Sequence, residues 1–267
     1  MATIKWSLRL GPALTLMCAL ALALAVPGAW AEDQRFENEH YRAEVLMDAG
    51  GLLAAVASKA TGEALLARMR IYTDFGVYEE RGYVGTGGTS CAKLTAEDGT
   101  TRLVTVAEGT LQGEPAVGQK AIGYRVETRF DDSPTIHVKA TIEPQMDKEE
   151  VNGFLALCWS VPAMARWRLR SVEGLLRHTL RPGEAQFGRS YNGEWPLDPV
   201  NPLIAATTAQ GAELRVENLT SSGVPAFAGP VIHGETIFLL WLGGSPDLVA
   251  GKSATLEFDL KVVAPGR

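Results

Sequence analysis

Period-two alternation of apolar and polar residues is the feature that most narrows what this chain can fold into. Tyr41, Ala43, Val45 and Met47 alternate with Arg42, Glu44 and Leu46. Tyr124, Val126, Thr128 and Phe130 alternate with Arg125, Glu127 and Arg129. Ile136, Val138, Ala140 and Ile142 do so with His137, Lys139 and Thr141, and Leu256, Phe258, Leu260 and Val262 with Glu257, Asp259 and Lys261. Successive side chains of a strand point to opposite faces, so each segment has one dry and one wet face, as antiparallel sheets require. Gly153 to Val161 and Ile237 to Leu242 are nearly solid apolar runs and read as central strands buried on both sides. Turn signals separate the runs, among them Ala60-Thr61-Gly62-Glu63, Asp131-Asp132-Ser133-Pro134 and Ala250-Gly251-Lys252. Ser58 to Met69, broken by Gly62, reads as a turn plus a strand, and no segment carries a capped helical period. Glu184 to Ala206, rich in Gly, Pro and Asn, is the longest irregular stretch, the kind of loop that tends to carry function. Together these patterns predict an all-β, many-stranded sandwich or barrel in one domain.

The first 31 residues have a different logic. Lys5 and Arg9 give a positive start, Ala13 to Val26 is an apolar run, and Ala29-Trp30-Ala31 ends it with small residues at −3 and −1. That order predicts a secretory signal peptide over residues 1–31, cleaved after Ala31. The run is too short for a bilayer-spanning helix, so no membrane insertion is expected once the signal is removed. The expected mature domain is 32–267, secreted or periplasmic. Cys18 follows Met17 in the middle of the run, the wrong place for a lipidated cysteine.

Losing Lys5 and Arg9 takes the formal net charge from −6 to −8. An acidic chain of this kind lacks the electrostatic footprint for DNA or RNA. Arg166, Arg168 and Arg170 come nearest to a basic cluster, but they alternate with Trp167 and Leu169 and read as one solvated strand face. Cys91 and Cys158 remain after cleavage, in a compartment that permits a disulfide; a buried apolar role for Cys158 is the alternative. Neither has a neighbouring His, and the acidic residues show no fixed ligand spacing, so no metal and no cofactor is expected.

Two segments carry a family resemblance. Phe36-Glu37-Asn38-Glu39-His40-Tyr41 leads through Gly50-Gly51 into Ser58-Lys59-Ala60-Thr61-Gly62-Glu63-Ala64-Leu65-Leu66. This resembles the opening of galactose mutarotase-like domains, where an E-N-x-x-Y strand and a D-K-x-T-G-x-x-L-L hairpin begin a β-supersandwich. Ser58 stands where Asp is common. Ala250 to Val262 is similar to the closing strand of the same superfamily. The resemblance implies an antiparallel β-supersandwich, single domain, and a carbohydrate ligand. It transfers no catalytic residue, because none of His40, His137, His178 and His233 has the neighbours of the epimerase motifs.

Sugar sites need flat aromatic faces for the C–H-rich side of the ring and amides, carboxylates and guanidinium groups for the hydroxyls. Arg189, Tyr191, Asn192, Glu194 and Trp195 supply all of these within one loop. They are the candidate substrate-binding residues, with the alternative that Tyr191 and Trp195 pin the loop to the core. His137 and Lys139 join them, on the polar face of an alternating strand. A second cluster, Asp74, Tyr78, Glu79, Glu80, Arg81 and Tyr83, reads as a solvated hairpin, since adjacent Glu79 and Glu80 would point to opposite strand faces. Asn218-Leu219-Thr220 is a glycosylation sequon only in a eukaryotic host.

Three readings follow. The first is a secreted domain that binds or processes an oligosaccharide or polysaccharide without an identifiable active site. The second is a polysaccharide lyase or sugar epimerase on the same fold. The third is a non-catalytic envelope or assembly protein.

Overall fold

A computed structural model of the chain describes residues 34–46, 52–71, 89–92, 99–112, 121–144, 155–160, 164–171, 174–179, 195–196, 203–223, 227–233, 237–242 and 249–266. They all belong to the unit Glu32–Arg267. In chain order the strands are β1 (Gln34–Glu37), β2 (Tyr41–Leu46), β3 (Leu52–Ser58), β4 (Ala64–Leu66), β5 (Arg68–Ile71) and β6 (Thr89–Ala92). Then come β7 (Thr101–Gln112), β8 (Ala121–Asp131), β9 (Thr135–Pro144), β10 (Leu155–Ser160), β11 (Met164–Ser171) and β12 (Gly174–Thr179). The last are β13 (Trp195–Pro196), β14 (Leu203–Thr208), β15 (Glu213–Ser222), β16 (Phe227–His233), β17 (Ile237–Leu242) and β18 (Ala254–Val263). No helix occurs among the described residues.

The strands form three sheets. A four-stranded sheet runs β1-β2-β3-β4, a five-stranded sheet β13-β16-β17-β10-β5, and a nine-stranded sheet β12-β11-β14-β15-β18-β9-β8-β7-β6. The pairings are antiparallel throughout, as the alternation requires. The two solid apolar runs became β10 and β17, interior strands of the five-stranded sheet. Part of the stretch read as irregular, Leu203 to Ala206, is instead strand β14, held between β11 and β15. Its Ile204 and Ala206 are buried, and that tertiary pairing overrides a weak local pattern.

The core lies between the four-stranded sheet and one face of the nine-stranded sheet. Tyr41, Ala43, Val45, Leu53, Val56, Leu65 and Leu66 meet the apolar positions of β7, β8, β9, β14, β15 and β18 in one cluster. Phe36 stacks on Phe130 at 5.3 Å and tilts against Tyr41 at 5.9 Å, joining the two sheets through aromatic rings. The register explains the alternation: Val126↔Ala140, Ala140↔Leu256 and Ile136↔Leu260 put apolar side chains in rows on the core face. The opposite rows, Arg129↔His137↔Asp259 and Glu127↔Lys139↔Glu257, stand on the outer face.

The motifs of the opening segment do structural work. Asn38 Oδ1 accepts hydrogen bonds from the backbone amides of His40 (2.8 Å) and Tyr41 (2.9 Å). Its Nδ2 donates to the carbonyls of Asp131 (2.9 Å) and Ser133 (2.8 Å), so one side chain clamps the β1–β2 turn to the β8–β9 turn. In the β3–β4 hairpin, Gly62 adopts a positive φ of 75°, which L side chains rarely take, and its amide donates to the Ser58 carbonyl at 2.8 Å. Ser58 is buried with its hydroxyl unpartnered.

Candidate functional site

His137 sits on β9 with its side chain 48% exposed, between the buried Ile136 and Val138. Asp259, its direct partner on β18, accepts from Nδ1 at 2.6 Å. A carboxylate only accepts, so in this bond Nδ1 carries the proton and Nε2 is the nitrogen turned to its surroundings. Nε2 stands 3.9 Å from Asp131 Oδ2, beyond hydrogen-bond reach. The second oxygen of Asp259 is held by Asn218 Nδ2 at 2.6 Å. Asn218 reaches it because β15 shifts register between Glu217 and Thr220, and Asn218 takes φ 54° there. Asn tolerates that left-handed conformation better than most residues. An imidazole oriented by a carboxylate that is itself anchored can donate to or accept from a hydroxyl, and can move a proton. Lys139, the next residue on this face, pairs with Glu257 at 3.3 Å, both exposed. Such a pair is worth at most about 1 kcal/mol.

A second polar group lies on the same face toward β11. Glu213 is buried, 5% exposed, and accepts from Thr207 Oγ1 at 2.9 Å and from the guanidinium groups of Arg168 and Arg215. Burial pushes the Glu213 carboxyl up, but the hydrogen bonds from Arg215 and Thr207 and the Arg168 charge outweigh it and hold the group below the usual carboxylate range. The expectation that Arg168 belongs to a solvated face is therefore corrected. It is partly buried against Glu213, and its Nε is buried with no acceptor. Trp167, on the opposite side of β11, packs against the core as the alternation implied. Glu213 was not legible as a partner, since 45 residues separate it from Arg168.

The structure brings His137 and Lys139 onto one face and adds Asp259 and Asn218 to them. The sequence signal for Asp259 was its polar position on the closing strand; nothing local pointed to Asn218 except a sequon. Trp195 lies on β13, paired with Ala228 at the edge of the five-stranded sheet, whereas His137 is in the nine-stranded sheet. Arg189, Tyr191, Asn192 and Glu194, and the cluster from Asp74 to Tyr83, lie outside the described residues. Cys91 is on β6, the edge of the nine-stranded sheet, and Cys158 on β10 of the five-stranded sheet. Among the described residues no three His, Cys, Asp or Glu side chains converge as metal ligands.

Sheet topology and core define an antiparallel β-supersandwich. No protein-family model and no curated protein sequence matches the chain. Solved structures do. An aldose epimerase homologue from C. elegans superposes with a TM-score of 0.54 at 9% identity, covering 88% of this chain and 99% of that one. A galactose 1-epimerase from Lactobacillus acidophilus is similar at a TM-score of 0.48 and 12% identity, covering 88% of this chain and 95% of that one. The chain has the galactose mutarotase-like fold, the one its opening and closing strands resemble.

Proposed function

We propose that this chain is an extracytoplasmic carbohydrate-binding domain. Its ligand is an oligosaccharide or polysaccharide, taken on the outer face of the nine-stranded sheet around His137 and Lys139. Arg189, Tyr191, Asn192, Glu194 and Trp195 are the further residues proposed to contact it. The observation that carries the reading is the His137–Asp259–Asn218 set, an exposed imidazole held in one orientation on an otherwise regular sheet. Hydroxyl-rich ligands are recognised by such fixed donors and acceptors. The fold adds support, because the aldose epimerase homologue from C. elegans shares it.

Calorimetric titration with varied oligosaccharides tests the reading. Binding is expected, with Trp195→Ala weakening it about 2–10-fold, as loss of one aromatic contact should, and His137→Ala weakening it comparably. If no glycan binds, the reading is wrong. Amino-terminal sequencing of the exported protein is expected to begin at Glu32.

The same His137–Asp259 bond favours a second reading, in which the domain processes its ligand as a lyase or epimerase. Absorbance of an unsaturated product from uronate polymers, or anomer exchange followed by NMR, would appear with the native chain and vanish with His137→Asn. A flat response in both assays leaves binding alone.

A further inference from the structure

Asp131 stands beside His137 on the outer face of the nine-stranded sheet. It ends β8, diagonal to His137, whose direct partner across the β8–β9 pair is Arg129. Its side chain is only 20% exposed. Oδ1 accepts from the Ser133 amide at 2.8 Å, and Oδ2 is left 3.9 Å from His137 Nε2. The turn that carries it is held by the four-stranded sheet. Asn38 donates to the carbonyls of Asp131 and Ser133, and the Tyr41 hydroxyl donates to the Thr135 carbonyl at 3.4 Å. The carboxylate and the ring it faces are each fixed by bonds of their own.

The cations around this pair are already answered. Arg129 pairs with Glu127, Lys139 with Glu257, Lys261 with Glu217 and Arg102 with Asp132. Asp259 is held by His137 Nδ1 and Asn218. Among the described residues, Asp131 Oδ2 has the His137 ring beside it and no lysine or arginine. A mostly buried carboxylate without a cation favours one that arrives from outside. Because Nδ1 donates to Asp259, Nε2 presents a lone pair, so two acceptors stand side by side. A hydroxyl has one proton and serves only one of them; two hydroxyls serve both but bring no charge to Asp131. A nitrogen about 2.9 Å from both would see them about 85° apart, which bends each N–H of a tetrahedral amine by only about 12° from a straight bond.

We infer that this seat takes the ammonium group of an amino sugar, which donates one N–H to His137 Nε2 and one to Asp131 Oδ2. This rests on the carbohydrate reading above and names the ligand's class, an oligosaccharide with free, unacetylated amino groups. The chain's net charge of −6 favours the approach of such a ligand. An acetylated nitrogen keeps one N–H and no charge, so acetylation removes both features that the seat reads.

The test is calorimetric titration of the chain at neutral pH with a glucosamine oligomer, its N-acetylated counterpart of equal length and a lysine peptide of equal charge. The glucosamine oligomer is expected to bind about 5-fold or more tighter than the acetylated one, with added salt narrowing the difference. Asp131→Asn, which keeps an acceptor for the Ser133 amide, should remove most of that preference and leave the acetylated ligand within about 2-fold of native. A measurement on the native chain needs no variant: nitrogen-resolved NMR of the imidazole should show His137 neutral with its proton on Nδ1, and the Nε2 resonance should move when the glucosamine oligomer binds. Equal affinity for the free and acetylated oligomers, a preference that Asp131→Asn leaves intact, an imidazolium at that pH, or tighter binding of the lysine peptide overturns the inference and leaves the carbohydrate reading standing. If no oligosaccharide binds, both fall.

Discussion

Replacing Asn38 by alanine should loosen the joint between the two sheets. The side chain makes four hydrogen bonds, two accepted from the amides of His40 and Tyr41 and two donated to the carbonyls of Asp131 and Ser133. All four are part-buried, so the lower half of the usual net value applies, roughly 0.5–1 kcal/mol each. Asn38→Ala should then cost about 2–4 kcal/mol, read as a fall in the urea midpoint without a change in slope. In a domain of this size that corresponds to a melting temperature lower by about 4–16 °C. Asn38→Asp separates the two halves of the clamp. It keeps the acceptor for His40 and Tyr41 but turns a carboxylate oxygen toward two carbonyls. At pH 7 it should be at least as unstable as the alanine variant. The new carboxyl would have a folded-state pKa raised above the unfolded value of about 3.9, so its relative stability is greatest below that value and falls as pH rises through the folded one. The deficit of Asn38→Asp should thus narrow on acidification while that of Asn38→Ala does not. An alanine variant within about 1 kcal/mol of the native chain, or an aspartate variant equal to native at pH 7, would refute the clamp.

Two further perturbations probe groups whose partners the fold decided. Glu213 has its folded-state pKa depressed, so its contribution is present above the unfolded value of 4.5 and is lost as pH falls through the lower folded value. Glu213→Gln should cost about 2–3 kcal/mol at pH 7 by leaving two guanidiniums without their carboxylate, and should flatten the acid limb of a stability–pH curve; parallel acid limbs would contradict this. Thr105 and Thr128 face each other across β7 and β8, both buried with hydroxyls that find no partner. Thr128→Val, which keeps the shape and removes the orphan hydroxyl, should raise stability by about 1 kcal/mol in urea unfolding, and a loss of that size would show that the hydroxyl is satisfied after all.

The sheet architecture was legible because its cause is local. Alternation in Tyr124 to Phe130, Ile136 to Ile142 and Leu256 to Val262 dictates which side of each strand is dry, and every one of those apolar positions, with Thr128, is buried. Asn38 and Gly62 were readable as motif residues for a similar reason: an Asx side chain and a positive φ act within a few residues of themselves. Strand β14 was missed at Leu203 to Ala206 because its conformation is set by β11 and β15 on either side, and a short segment has no periodicity to declare it.

The site divides along the same line. Sequence by itself determined that His137 and Lys139 stand on the polar face of a strand, since that follows from the side-chain period of two. It could not determine that His137 meets Asp259, 122 residues away, that a bulge turns Asn218 onto the second oxygen, or that Arg168, Arg215 and Glu213 form one cluster. Arg168 reads as part of a solvated stripe in the chain and meets Glu213 only when β14 and β15 are laid beside β11. Period and turn chemistry act between neighbours and are written in the chain. Register between distant strands is chosen by the burial of their opposite faces, so the polar partners on the outer face are a consequence of how the core packs.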